Sequence, residues 1–289
     1  MESADSPEQF TIRIQNLTTE YAYGMMEFAY KNGVRGFDLS LRSNVIEAFR
    51  RMKEKYGAEV IGIGNPNWLC GYELDNKPLT NFRDRVVLTI ISRYCDSSTR
   101  SKLNSLQENQ RCRSFHYEKN TQPLSEDEVG RITLNRSEWV NRLSVLKELV
   151  DFCQVGTDYA DWMVQFGKVE LLSSQISMIR EKGMIPISIC HWTSLTLPTL
   201  EREDVAGHWV WTNKKHMCLN FADAISAIGA SRKPKTAFRV LKGLRLPDQI
   251  PEVYSWIRSS LGIMSVVIGI DDEAQGTYTI PRARSTFCT

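Results

Sequence analysis

The end of the chain contains a strand, a helix and a second strand in a pattern that restricts the fold. Residues 234–245 read Pro-Lys-Thr-Ala-Phe-Arg-Val-Leu-Lys-Gly-Leu-Arg, and a helical stretch over 251–261 leads to Met-Ser-Val-Val-Ile-Gly-Ile-Asp at 264–271. Two apolar runs of strand length joined by a helix indicate parallel strands, because a parallel pair needs a long crossover connection. The chain is therefore expected to contain a parallel sheet covered by helices.

The same alternation extends through most of the chain. Eight strands are predicted, at residues 34–40, 59–64, 85–92, 149–155, 184–189, 209–211, 236–241 and 265–270. Eight alternations with mostly short connections favour a closed (β/α)8 TIM barrel, formed by residues 1–289 as one domain. The active site of such a barrel is built from the loops that follow its strands.

Residues 95–135 interrupt the alternation. This segment is polar, rich in Ser, Asn, Gln and Arg, and would follow the third predicted strand on the face that carries the active site. Connections of this length are uncommon in compact domains and are often functional. We expect the segment to act as a lid, and four of its basic residues would add positive potential over an anionic ligand: Arg100, Lys102, Arg111 and Arg113.

The composition excludes several classes of protein. A formal charge of +2 does not indicate a nucleic-acid partner, and no apolar run approaches the roughly 18 residues of a membrane span. The acidic start has no apolar core of a signal peptide, and the seven cysteines lack the spacing of a disulfide framework. We therefore expect a soluble, cytoplasmic protein with a small-molecule substrate, and the sequence does not indicate its oligomeric state.

Polar and aromatic side chains follow several of the predicted strands. Asp38, Asp158 and His191 are candidates for proton transfer, because a carboxylate beside an imidazole can form a general base. The alternative is a structural histidine and two aspartates that cap helices. The candidates for contacts with a polar substrate are Asn65, Asn67, Trp68, Arg93, Trp192 and Asn213.

Cations follow the seventh predicted strand. Arg239, Lys242 and Arg245 lie where barrels often bind phosphate, and Gly269 on the eighth strand would permit close approach of a ligand to the backbone. A solvated basic patch is the alternative. No metal is expected, because the adjacent Cys190 and His191 would point to opposite faces of a strand.

Several segments resemble the aldo/keto reductase family of barrels. They are Gly36-Phe37-Asp38, Val150-Asp151-Phe152-Cys153-Gln154, Arg180-Glu181-Lys182-Gly183 and Val266-Val267-Ile268-Gly269. The resemblance implies a TIM barrel, an NADP(H) cofactor held partly by the cations after strand seven, and a catalytic role for Asp38.

The family's catalytic tetrad consists of Asp, Tyr, Lys and His, and only the Asp has a counterpart here. Leu41-Arg42-Ser43 replaces the Tyr, Gly156-Thr157 replaces the His, and the third predicted strand has no Lys before Arg93. His191 or Tyr94 would then be the proton donor.

The sequence thus leads to three functional hypotheses. The first is an enzyme, with NADP(H)-linked oxidoreduction as its reaction, that acts on a polar, anionic small molecule. The second is a cofactor-free lyase, isomerase or hydrolase that uses Asp38, Asp158 and His191. The third is a catalytically silent barrel that binds a ligand or a protein partner through residues 95–135.

Overall fold

The fold is seen in a computed structural model, which describes residues 18–66, 71–94, 121–156, 158–214, 221–241 and 247–288. Helices and strands follow one another as α1 (Thr19–Lys31), β1 (Gly36–Ser40), α2 (Ser43–Tyr56), β2 (Ile61–Asn65), β3 (Tyr72–Leu74), β4 (Lys77–Pro78), α3 (Arg83–Tyr94), α4 (Glu126–Gly130), β5 (Thr133–Leu134), α5 (Arg136–Leu146), β6 (Phe152–Val155), α6 (Asp158–Gln165), α7 (Val169–Glu181), β7 (Ile185–Cys190), α8 (Thr193–Leu200), β8 (His208–Trp211), α9 (Phe221–Ala230), β9 (Lys235–Phe238), α10 (Ile250–Leu261), β10 (Ser265–Val266) and α11 (Glu273–Phe287).

Seven of these strands form one parallel sheet that curls into a half-barrel surrounded by helices. The order in the sheet is β1, β2, β6, β7, β8, β9 and β10, so every strand pairs with the next parallel strand along the chain. The predicted α/β fold with a parallel sheet is confirmed. The described residues do not close the barrel, because β1 and β10 each have a neighbour on one side only.

The third predicted strand, at residues 85–92, is wrong. These residues lie in α3, where Val86, Val87, Ile90 and Ile91 are buried along one side of the helix. Their spacing fits a helix, and Asp84 and Arg93 stand at the ends where the helix dipole favours their charges. The β-branched run indicated a strand, because a short apolar run alone does not separate the two structures.

The segment around α3 also contains a small antiparallel sheet in the order β4, β3, β5. Of the expected lid, residues 95–120 lie outside the described part of the chain. Residues 126–134 form α4 and β5, and α4 begins with a capping box between Ser125 and Glu128. Lys168, before the first turn of α7, donates to the carbonyl of Gly130 at 2.7 Å. None of the described residues from 121 to 135 lines the central cavity, and the lid stays a prediction.

The two faces of the parallel strands have different neighbours. On β1, Phe37 and Leu39 point outward and are buried beneath the helices, whereas Asp38 points into the half-barrel. On β2 the outward positions are Gly62 and Gly64. A methyl group on Gly62 would lie 2.6 Å from the carbonyl oxygen of Leu149, so glycine is needed there for the chain to pass this closely. This alternation determines which side chains reach the interior.

Two helices from opposite ends of the described chain cover the space between β1 and β10. A methyl group on Gly276 of α11 would lie 2.5 Å from the ring of Phe28 on α1, so the helices pack closely. The hydroxyl of Tyr21 donates to the carbonyl of Asp271. Because α1 also contacts α2, the outer layer of helices continues past the place where the sheet stops.

Candidate functional site

A cavity of about 1010 Å³ occupies the interior of the half-barrel. Its wall consists of inward-pointing side chains from the strands and of the inner faces of α1 and α11. The polar and charged lining groups of the strands and adjoining residues are Arg35, Asp38, Asn65, Gln154, Tyr159, His191, Thr236, Arg239 and Ser265, and α11 contributes Arg284. Ligand pockets commonly measure about 300–1,000 Å³, so this cavity is large enough for a metabolite-sized molecule.

Asp38 is the central carboxylate of the cavity. Its Oδ1 accepts a hydrogen bond of 2.9 Å from Nε2 of Gln154, and no described residue donates to Oδ2. Water can reach the carboxylate through the cavity, but the group lies deep within the protein wall. Desolvation raises the pKa of Asp38 to about 7, against the opposing effect of the Gln154 hydrogen bond.

Gln154 connects Asp38 to β6. The side chain is fully buried and lines the cavity. Its amide nitrogen is used by Asp38, and its Oε1 has no hydrogen-bond partner among the described residues. A buried acceptor without a partner is costly, so a donor group on a ligand would be stabilised here.

His191 lies at the end of β7 and lines the same cavity. Its ring meets Phe238 edge-on, with the ring centroids 5.0 Å apart. Asp161 on α6 fixes the backbone at this point, because its carboxylate accepts hydrogen bonds from the N–H groups of His191 (3.0 Å) and Trp192 (3.1 Å). Oδ2 of Asp161 also lies 3.4 Å from Nδ1 of His191. Asp161 thus places a buried carboxylate directly beside the imidazole and fixes the chain at the end of β7.

Arg239 supplies positive charge to the cavity wall. It follows β9 with φ of 55°, a left-handed conformation that costs a non-glycine residue on the order of 1–3 kcal/mol. The side-chain amide of Asn213 donates to the carbonyl of Arg239 at 3.1 Å and holds this turn in place. The guanidinium carbon lies 4.9 Å from the ring centroid of Trp211. The cation is therefore positioned by a strained backbone and an aromatic face.

The structure brings together five of the residues singled out in the sequence. Asp38, Asn65, His191, Arg239 and Gly269 all line the cavity. Asn213 does not line it but supports Arg239. Two candidate positions lie outside the described residues in the segment 67–70, Asn67 and Trp68, and two more in 242–246, Lys242 and Arg245.

Three candidates occupy other places than the sequence suggested. Trp192, the N-cap residue of α8, directly follows β7 but is buried in the core and is not part of the cavity wall. Arg93 lies in the last turn of α3, pairs with Glu126 and does not follow a strand. Tyr94 ends the same helix. Asp158 lies where expected, after β6, and begins α6.

Sequence reasoning missed Gln154 and Asp161. Gln154 was part of a predicted strand, and the alternation along β6 could have placed its side chain inside, but glutamine alone carries no sign of a site. Asp161 stands three residues after the expected Asp158. Its neighbours His191 and Trp192 are about thirty residues away in sequence, so no local pattern indicated their contact.

A second polar cluster lies outside the cavity, between the sheet and the helices. Oγ of Ser188 is 2.6 Å from Nδ1 of His208, and Nε2 of His208 is 2.9 Å from Oε2 of Glu201. The serine, histidine and carboxylate order resembles a hydrolytic triad, but Ser188 and His208 are buried and do not line the cavity. Desolvation lowers the pKa of His208 to about 4, against the opposing effect of Glu201. The cluster therefore holds strand and helix together around a neutral imidazole.

The catalytic tetrad implied by the resemblance is present only in part. Asp38 is present, but a histidine is excluded at Gly156, where φ is 94° and a Cβ atom would lie 2.0 Å from that of Ala160. The segment expected to supply a lysine is helix α3. In the described residues no group of three or more His, Cys, Asp or Glu side chains is arranged to hold a metal ion.

Two further findings bear on the class of protein and not on single residues of the site. Among the helices in the described ranges, none is both long and apolar enough to cross a membrane. The sequence matches no family model, and no curated protein matches it significantly.

Proposed function

We propose that this chain is an enzyme that transfers a proton to or from a polar, anionic small molecule bound inside the half-barrel. One observation carries the proposal: a carboxylate, its amide partner, an imidazole and a guanidinium converge on one cavity. An isomerase or lyase that removes a proton beside a carbonyl group fits this set of residues. The proposal therefore places cofactor-free chemistry ahead of oxidoreduction.

Asp38 is the proposed general acid and base. A carboxyl group that titrates near pH 7 is present in both protonation states at neutral pH, as a group that both accepts and returns a proton must be. Gln154 holds one carboxylate oxygen, which leaves the other for the substrate. The free Oε1 of Gln154 would accept a hydrogen bond from a substrate hydroxyl group.

Arg239 and His191 complete the proposed roles. Arg239 would pair with the carboxylate or phosphate of the substrate, since a guanidinium suits both anions. His191, held by Asp161 at the end of β7, would stabilise the oxygen on which negative charge develops or exchange a second proton with it. Trp209 and Phe238 on the same wall would offer apolar surface to the carbon skeleton of the substrate.

Proton exchange with solvent gives a test that needs no known product. The protein is incubated in D2O with a panel of oxo- and hydroxy-carboxylates and their phosphate esters, and NMR follows the incorporation of deuterium next to the carbonyl or hydroxyl carbon. We expect incorporation into at least one compound, and its loss in Asp38→Asn. Asp204→Asn is the matched control, because Asp204 is exposed and lies in the loop before β8, at the other end of the strands.

The same experiment separates the competing functions. Activity that survives in Asp38→Asn would remove Asp38 from the mechanism. NADP(H) binding stays a prediction of the resemblance, and titration with NADPH tests it through quenching of Trp209 fluorescence in the cavity wall. Quenching at micromolar NADPH, without deuterium incorporation, would favour the reductase. A silent binding protein would bind a compound of the panel but show neither deuterium incorporation nor quenching by NADPH.

A further inference from the structure

At one place the outer layer of helices is continuous, whereas the sheet beneath it is interrupted. Within the described chain, α11, α1 and α2 follow one another in the outer layer, whereas β10 and β1 beneath them are the free edges of the sheet. The cavity extends into this gap and is lined there by Met25, Met26 and Ala29 of α1, and by Ile280, Ala283 and Phe287 of α11. An apolar helix face normally packs on a strand.

The chain before Thr18 has the sequence pattern of the missing element. Residues 10–15 read Phe-Thr-Ile-Arg-Ile-Gln, with apolar and polar residues in strict alternation and three β-branched residues among six. This is the pattern of a strand with one apolar face. Six residues would extend about 20 Å, comparable with the five-residue β1 and β2.

We propose that residues 10–15 of this same chain form a strand between β10 and β1 and close the sheet into an eight-stranded barrel. The inference is independent of the proposed function, since it concerns the gap and not the reaction. It places the chain in eight successive strand-and-helix units, each beginning with one strand of the barrel. Eight parallel strands give an interior that side chains can fill.

The position of α1 supports this occupant over any other. α1 would be the crossover helix of a strand–helix–strand unit that runs from residues 10–15 to β1, and such units connect neighbouring parallel strands. Three residues separate position 15 from Thr19, where α1 begins. Two residues separate β1 from α2 and β7 from α8. The connection between residues 10–15 and α1 therefore has a length typical of the strand-to-helix connections in this fold.

The alternation also determines which side chains of the proposed strand point to the helices and which point into the cavity. Phe10, Ile12 and Ile14 would point outward to the apolar faces of α1 and α11, as Phe37 and Leu39 of β1 point outward to the helices. Thr11, Arg13 and Gln15 would then point into the cavity. Arg13 would add a guanidinium to a cavity already lined by Arg35, Arg239 and Arg284. The strand would fill the part of the cavity nearest the helices and leave the part around Gln154 and His191 for a ligand.

Amide hydrogen exchange of the full-length protein tests the pairing directly. A strand with neighbours on both sides should protect the amides of residues 11–15 by about 100-fold or more relative to an unstructured peptide. Exchange of these amides at unstructured rates would overturn the proposal. Protection that disappears on dilution, together with a dimeric mass, would assign the gap to a second copy and overturn it as well.

Shortened chains add a matched comparison. Deletion of residues 1–16 should increase exchange of the β1 amides, residues 36–40, at least about tenfold, because their edge loses its neighbour. Deletion of residues 1–8 should leave the exchange of β1 unchanged. An equal effect of the two deletions, or none from the longer one, would contradict the proposal.

Two substitutions test the facing and remain informative where the longer deletion prevents folding. Ile12→Asp would bury a carboxylate between the sheet and the helices, whereas Thr11→Asp would place it in the cavity, in contact with water. We expect the urea midpoint to fall clearly for Ile12→Asp and little for Thr11→Asp. Equal midpoints, or the reverse order, would exclude a strand with this facing.

Discussion

Replacing Asp38 by asparagine should change how the stability of the protein depends on pH. Asp38 has a folded-state pKa of about 7 against an ordinary value of 3.8, so between about pH 4 and 7 the folded protein keeps a proton that the unfolded chain has released. The contribution of Asp38 to the stability of the wild type therefore falls as pH rises through this window and is level above it. Asp38→Asn cannot titrate and lacks this contribution.

The magnitude follows from the difference in pKa and from the access of water. A change from 3.8 to about 7 corresponds to about 4 kcal/mol at 1.36 kcal/mol per pKa unit. Because the carboxylate faces an open cavity, solvent screening reduces the expected value to about 1–2 kcal/mol. We expect Asp38→Asn to gain this amount of stability relative to the wild type between pH 4.5 and 8, with Gln154 still donating to the new amide oxygen.

Urea unfolding followed by tryptophan fluorescence at pH 4.5, 6, 7 and 8 measures the effect. The free energy of unfolding of the wild type is subtracted from that of the variant at each pH. Contributions from His208 and the other titrating groups are the same in both proteins and cancel in this difference. The series is repeated in an Arg13→Gln background, because a guanidinium brought near Asp38 by the proposed strand would lower the pKa of the carboxyl. A difference in stability that is constant with pH in both backgrounds would refute the desolvation argument.

Three further predictions concern other parts of the structure. His191→Asn should fold normally and lose at least about tenfold in proton-exchange rate, since a positioned acid or base contributes about 10²–10⁴-fold; unchanged exchange would make His191 structural. His208 alone should contribute a loss of up to about 3 kcal/mol of stability as pH falls from 6.5 toward 4, opposite in sign to the Asp38 contribution, because His208 is held neutral in the fold and is protonated in the unfolded chain. His208→Gln should remove this slope in urea unfolding between pH 5 and 7.5, and a persistent slope would assign it to other groups. Gly156→Ala should lower stability by more than about 2 kcal/mol, since φ is 94° and the new methyl would lie 2.0 Å from Cβ of Ala160. Gly167→Ala, with φ of 70° but open space around its Cβ, should lose only about 1 kcal/mol, and equal midpoints would contradict the packing argument.

The parallel sheet could be predicted because most of its strands are apolar runs ended by polar residues. The strand at 184–189 was expected within one residue of β7, and the strand at 209–211 within one residue of β8. The helix at 85–92 could not be separated from a strand by composition, although Asp84 and Arg93 at its ends were a usable signal. The strand at 265–270 was too long, because only Ser265 and Val266 pair with β9.

The candidate site could be predicted where the position of a residue depends on one strand alone. Asp38 points inward from the middle of β1, and His191 and Arg239 directly follow β7 and β9; all three line the cavity. Gln154 and Asp161 act through contacts with residues far away in sequence, and a single sequence contains no information on which strands or helices bring them together. The sequence thus allowed us to predict which single residues face the cavity, but not which residues far apart in sequence contact each other there.

The order of strands in the sheet has a consequence for how the chain folds. Neighbouring strands such as β1 and β2 are separated by about 25 residues, whereas Tyr21 and Asp271, which join α1 to α11, are 250 residues apart. Closing the longer loop costs about 2 kcal/mol more in chain entropy. Except for β2 and β6, which pair across about 90 residues, the strands can therefore assemble one after another from local contacts, and the two ends of the described chain meet last. Until they meet, the interior that carries Asp38 stays open along its full height, so a newly made chain acquires its enclosed cavity only at the final step of folding.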